Sequence, residues 1–213
     1  VGEWAEMSVP SDIFETLPEQ DYAAVRPLIR TGDIILYAGN DLASRAIGWG
    51  TRSPFSHVSL AARLDGLDRI MALQAILPSG TGAVSLSGVA DGSGARQRPF
   101  DGRMVLARHD AFADLATPER LRAMGAFAVD RFGSPYSLLE ILKIMARIAL
   151  GWGDIRLPGR LRPTDDYICS EYVAACLQRV GITLSWNALG YIAPADIAAD
   201  PRVQPIATIR TAL

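Results

Sequence analysis

Ser56-His57-Val58 and, 112 positions beyond that histidine, Ile168-Cys169-Ser170-Glu171 are the segments of this chain best equipped for chemistry. A thiol near the start of a helix is a candidate nucleophile, and an imidazole is the group that would activate it. The chain holds only two His and two Cys, so few other pairings compete. Asp165 or Asp166 is placed to cap a helix running from Tyr167 to about Val180, with Gly181 as its stop. Cys169 then falls in the first turn, where unpaired N–H groups and the helix dipole favour a thiolate and can also hold an oxyanion. Cys176, two turns deeper between Ala175 and Leu177, reads as core. Cys169 can itself be read as a small buried residue. A disulfide between the two is not expected, since residues seven apart on a helix have Cα atoms about 10 Å apart.

The imidazole needs an orienting partner on its second nitrogen. Ser56–Leu64 and Arg69–Leu77 read as strands of a hairpin around Leu64-Asp65-Gly66-Leu67. Folding it about Gly66-Leu67 pairs Ser59 with Gln74 and His57 with Ile76. Gln74 then shares a face with His57, diagonally adjacent, and its amide oxygen can accept an N–H bond. Asp33 and Glu171 are competing polar groups, better suited to capping or surface roles. His57 can also be a structural histidine bonded to backbone, and His109, entering a loop after a strand, is the weaker base.

The elements that must position these residues alternate by period and punctuation. Residues 21–30 form a short helix ending before Thr31-Gly32, Asp33–Ala38 a strand, and Asp41–Gly48 a helix capped by Asn40 or Asp41. Pro78–Pro99, rich in Ser, Thr and Gly, reads as mostly loop with a short strand at Ala83–Leu86, and Met104–Arg108 is another strand. Thr117 caps a helix with Pro118 in its first position, running to Arg131, where Gly133-Ser134-Pro135 breaks it. Ser137–Leu150 is an apolar helix, too short and too interrupted by Glu140, Lys143 and Arg147 to span a bilayer. It reads as a core-facing helix or a peripheral membrane-contact surface over 138–150. Gln204–Ile209 is β-like. Hairpin strands followed by a helical half give an α+β fold, with an antiparallel sheet packed against helices.

The totals fit that picture. At 213 residues one domain over 1–213 is the simplest expectation. A net charge of −2 with scattered basic residues, Arg156, Arg160 and Arg162 forming the only modest run, excludes a nucleic-acid footprint. The His and Cys spacing makes no zinc pattern, so no metal or other cofactor is expected. Gly80-Thr81-Gly82 and Gly92-Ser93-Gly94 lack the lysine and context of a phosphate loop. Val1–Gln20 shows no basic start followed by an apolar run, which favours a cytoplasmic address, the cell envelope staying open because residue 1 is not Met.

The ordered set resembles the circularly permuted branch of the NlpC/P60 superfamily of papain-like cysteine hydrolases, especially its YiiX/YebB-like group. It comprises the Gly-Asp-Ile-Ile strand at Gly32–Leu36, the Ser-His-Val strand at Ser56–Val58, a polar residue on the next strand, Pro135-Tyr136, and Cys169-Ser170-Glu171 at a helix start. The likeness covers about 28–198. It implies a permuted papain-like fold, with Cys169 as nucleophile, His57 as general base and acid, and Gln74 as orienter. Many relatives carry Glu at the last position and Asp where Ser137 stands. The implied activity is hydrolysis of an amide bond in a cell-wall-type peptide, with lipid acyl hydrolysis or transfer as the alternative and a catalytically silent binding module as a third. The partner is accordingly a peptide or acyl-lipid substrate.

Overall fold

The computed structural model describes residues 9–10, 12–93, 98–135, 168–185 and 192–211. Its strands are β1 (Glu19–Asp21), β2 (Ile34–Gly39), β3 (His57–Leu64), β4 (Arg69–Ile76), β5 (Gly80–Ser85), β6 (Gly102–His109) and β7 (Val203–Arg210). The helices are α1 (Ile13–Thr16), α2 (Tyr22–Val25), α3 (Leu42–Thr51), α4 (Leu86–Asp91), α5 (Phe112–Leu115), α6 (Pro118–Val129), α7 (Cys169–Val180) and α8 (Pro194–Ala199). The strands make one sheet in the order β1-β7-β6-β2-β3-β4-β5. The fold is α+β, as expected, but the sheet is mixed rather than antiparallel. β1 runs parallel to β7, pairing Glu19 with Thr208, while all other neighbours are antiparallel. Three polar residues carry no strand pattern of their own; β1 exists because β7 offers it an edge, and Thr208 Oγ1 donates to the carbonyls of Leu17 and Pro18 beside it.

The central hairpin follows from alternation. Leu60 faces Leu73 and Leu64 faces Arg69, the register that continues to Ser59–Gln74 and is the one the sequence predicts. Even positions of β3, Val58 and Leu60, join Leu36, Leu73, Ala75, Val105 and the apolar faces of α6 and α7 in one buried cluster. The odd face packs elsewhere: Ala61, Ile35, Tyr37, Ala72 and Leu106 lie with Tyr22 and Val25 of α2 and Leu86 and Ala90 of α4. Period-two side chains on a sheet covered on both faces require this division. Each fully buried Leu, Ile or Val in these two layers contributes roughly 1.5–3 kcal/mol of transfer free energy.

Local caps agree with the sequence in places. Asp41 caps α3, its Oδ1 accepting from the Ser44 N–H, and Thr117 caps α6 with Pro118 behind it. Gly181 closes α7 at φ +99, left-handed backbone that favours glycine. Gly32 has φ +89, and the ring of Phe112 fills the space that a Cβ would take. Two expectations are corrected. Pro78–Pro99 is largely structured: β5 pairs with β4 along its whole length, and Ser85 caps α4 by accepting from the Gly88 N–H. Small residues disguise β5 as loop, and ladder pairing with β4 overrides their weak strand preference. The helix that carries Cys169 starts at Cys169, not Tyr167, because Ile168 is extended (φ −86, ψ 161) and supplies no side-chain cap. The proposed caps Asp165 and Asp166 lie outside the described residues, as do Tyr136 and Ser137, the 138–150 segment, Gly94 and the Arg156, Arg160 and Arg162 run.

Candidate active site

His57 is the first residue of β3, and its partners come from three elements. Its ring Nε2 donates to Gln74 Oε1 on β4 at 2.8 Å. With Nε2 so engaged, Nδ1 is the nitrogen left for Cys169, and the thiol and the ring shift each other's titration. Beneath the ring, Tyr37 of β2 packs at 5.0 Å between centroids and a 50° tilt. The Tyr37 hydroxyl shares a 2.8 Å hydrogen bond with Ser59 Oγ. Burial drives the Tyr37 phenol far above its ordinary range, so it stays neutral. His57, Ser59 and Gln74 thus occupy one face of the hairpin, with Tyr37 on the neighbouring strand.

Cys169 belongs to the cluster on the opposite face. The two groups meet at the end of the sheet. Along β3 the odd residues turn their N–H groups toward β2, as the Ala61 N–H does to the Asp33 carbonyl. The N–H of Val58 therefore points toward β4, whose ladder with β3 begins only at Leu60 and Leu73. That donor and the N–H of Ser170 both act to lower the Cys169 pKa. Cys169 is the first residue of α7, where helix geometry leaves N–H groups without intrahelical acceptors.

The electrostatics follow from this geometry. Cys169 is 5% exposed, and burial alone pushes its thiol up. The charge and hydrogen bond of His57, with the N–H groups of Val58 and Ser170, outweigh burial and bring it below the ordinary value. For His57, burial disfavours the charged ring, but the Cys169 thiolate, its hydrogen bond and Gln74 together raise the pKa. Both shifts favour a thiolate–imidazolium pair. Cys176 shows the contrast: fully buried, without such a partner, its thiol is pushed up to about 12. Neither cysteine is in a disulfide.

Supporting groups anchor the arrangement. Ser170, fully buried, donates its hydroxyl to the Ile192 carbonyl, and the Tyr172 hydroxyl donates to the Ala128 carbonyl of α6 at 3.0 Å. Ser56 N–H donates to the Tyr37 carbonyl at 2.9 Å, tying the turn before His57 to β2. Other candidates are employed elsewhere. Asp33 is clamped by Arg108 (Nε–Oδ1 2.6 Å, Nη2–Oδ2 2.9 Å) and by the Arg30 N–H. His109, at the end of β6, accepts the Ala111 N–H on Nδ1, and burial lowers its pKa. Glu171 is the acid of the first turn of α7. Gly80-Thr81-Gly82 lies in strand β5 rather than a phosphate loop. Sequence reasoning missed Tyr37, although strand alternation sets it level with His57 on a shared face, and it missed the Val58 N–H, which only the end of a ladder reveals.

Among the described residues no group of three or more His, Cys, Asp or Glu is disposed to hold a metal ion, and no helix is long and apolar enough to cross a membrane. No protein-family model and no curated protein matches the chain. Among solved structures it is similar to the metalloprotein yiiX of Escherichia coli O157:H7, a DUF1105 protein, with 18% identity over 85% of this chain and 98% of that one and a TM-score of 0.56. The likeness is one of fold, an α+β architecture compatible with a YiiX-like group.

Proposed function

We propose that the protein is a cysteine hydrolase of the circularly permuted papain-like (NlpC/P60) type, cleaving an amide bond in a cell-wall-type peptide. The observation that carries this reading is the continuous chain from Cys169 through His57 to Gln74, assembled at a helix start. The Cys169 thiolate attacks the carbonyl carbon, and the first-turn N–H groups, that of Cys169 among them, receive the oxyanion. His57 gives its proton to the departing amine as the C–N bond breaks and a thioester forms. The neutral ring then takes a proton from water, whose hydroxide attacks the thioester. The carboxylic product leaves, restoring the thiolate and the imidazolium. Gln74 holds the ring throughout.

The solved neighbour is described as a metalloprotein. Here Cys169 and His57 offer two ligands, and among the described residues no third His, Cys, Asp or Glu joins them, so the set does not fit a metal and no step runs through one.

The test is alkylation of the intact protein by iodoacetamide as a function of pH, with the adduct located by peptide mass spectrometry. Cys169 is expected to react selectively well below the free-thiol pKa of about 8.5. His57→Ala removes the largest influences that oppose burial at Cys169, so the thiol pKa rises and labelling at neutral pH falls at least about tenfold. Ordinary reactivity at Cys169, unchanged by His57→Ala, would overturn the hydrolase and leave a binding module on the same fold.

A further inference from the structure

The connection between β2 and β3 carries a helix with none of its side chains in the core. α3 has no buried residue, although it begins three positions after the last residue of β2 and leads directly into His57. Leu42 is 83% exposed and Trp49 75% exposed. Together with Arg45, also exposed, they recur at i, i+3 and i+7, which places them on one stripe of the helix, and exposed Arg52 follows as its left-handed C-cap residue, adding a second cation at that end. Neither arginine has an acidic partner among the described residues; the nearby Asp41 is engaged by Ser44 as the helix cap. The sheet also exposes apolar side chains at that end. Ile76 and Leu77, 41% and 45% exposed, lie at the end of β4 that the hairpin register aligns with His57.

We infer that α3 is a membrane-docking element that seats the Cys169 end of the sheet on an anionic lipid surface. Trp and Leu side chains enter the headgroup–acyl boundary while Arg45 on the same stripe and Arg52 at the helix end bind the anionic headgroups. The charge pattern selects this occupant. A second copy laid face to face sets these arginines against like charges. The chain as a whole carries −2, so binding to an anionic surface rests on this local cationic face rather than on net charge. This surface differs from the 138–150 segment, which the sequence reads as a core-facing helix or a peripheral membrane contact, and it does not depend on Cys169 being a nucleophile. With the hydrolase reading, it supplies a membrane-borne acyl or amide substrate.

The whole 213-residue chain is sedimented with vesicles of phosphatidylcholine alone and of phosphatidylcholine mixed with phosphatidylglycerol, at low and high salt. Binding is expected only to the mixed vesicles and weakens with salt. Arg45→Gln with Arg52→Gln lowers the affinity about 30-fold, from roughly fivefold per arginine near an anionic surface. Leu42→Ser with Trp49→Ser removes the binding that survives high salt. Because α3 buries no side chain, these variants keep the fold, verified by wild-type alkylation of Cys169. Absence of binding to the mixed vesicles overturns the inference, as does binding indifferent to both double variants. A dimer in sedimentation velocity that Leu42→Ser with Trp49→Ser dissolves also overturns it, assigning the face to self-association. Cys169→Ala is expected to bind vesicles like the parent, so loss of the hydrolase reading leaves this result standing.

Discussion

A neutral amide holds His57 where a carboxylate would add a second negative charge. The 2.8 Å bond from Nε2 to Gln74 orients the ring, but most of what keeps the imidazole charged comes from the thiolate on its other side. Gln74→Glu sets an anion against Nε2–H, raising the His57 pKa further. If the proposed hydrolysis holds, its alkaline limb, where His57 would lose the proton it donates, is therefore expected to move upward, with little change in the acid limb set by Cys169. Gln74→Ala removes a hydrogen bond to a charged ring, worth about 1.5–3 kcal/mol. It is expected to move the alkaline limb downward and to slow Cys169 alkylation at neutral pH; identical profiles for the three proteins would reduce Gln74 to a core residue. Much at this scale was legible in sequence, because Cys and His are scarce and one hairpin register brings Gln74 beside His57. The Tyr37 platform and the Val58 donor were not, since each depends on a contact between strands rather than on residue type.

Among the elements, α7 must hold its first turn against the end of β3, and two side-chain bonds fix it. Tyr172→Phe removes the donor to the Ala128 carbonyl and is expected to cost about 1 kcal/mol in urea unfolding, with Cys169 alkylation unchanged. Ser170→Ala leaves the Ile192 carbonyl without its hydroxyl beside a buried side chain, costing about 1–3 kcal/mol, and it also loosens the turn that aims the sulfur. Only the second change is expected to slow alkylation; equal effects on both readouts would mean that the anchors serve stability alone. The elements legible in advance were those with strong period and clear punctuation: β3 and β4 around Gly66, α6 behind Thr117-Pro118, and the stop of α7 at Gly181. β5 and α4 were hidden by Gly and Ser, residues whose own preferences point to loop until a neighbouring strand pairs with them. The start of α7 lies at Cys169, two residues later than the sequence reading, because extended Ile168 stands directly before it and an apolar residue gives no capping signal.

For the molecule as a whole, one buried charge ties early and middle segments together. Asp33 at the head of β2 is 1% exposed and holds Arg108 of β6 by two bonds. Asp33→Ala strands that guanidinium, and about 3 kcal/mol of global stability is expected to be lost, read as a lower urea midpoint. The Cys169 alkylation profile of the folded fraction is expected to stay that of the parent, since Asp33 touches neither Cys169 nor His57. A changed profile would mean that the pair reaches into the site. The parallel edge formed by β1 and β7 escaped the sequence reading for a related reason: its partners are nearly a whole chain apart, and Glu-Gln-Asp carries no periodic signal.

The placement of His57 and Cys169 on elements so distant in the chain has a consequence for how reactivity is acquired during folding. His57 and Gln74 are joined by a local hairpin, whose closure entropy is small. Cys169 must be brought across 112 intervening positions before it meets the imidazole and the Val58 N–H. Until that long loop closes, the thiol has none of the interactions that lower its pKa, and it behaves as an ordinary, sluggish sulfhydryl. On the hydrolase proposed above, contact order thus acts as a safety catch: the nascent chain carries its thiol unarmed, and the sulfur becomes reactive only when the native topology is complete.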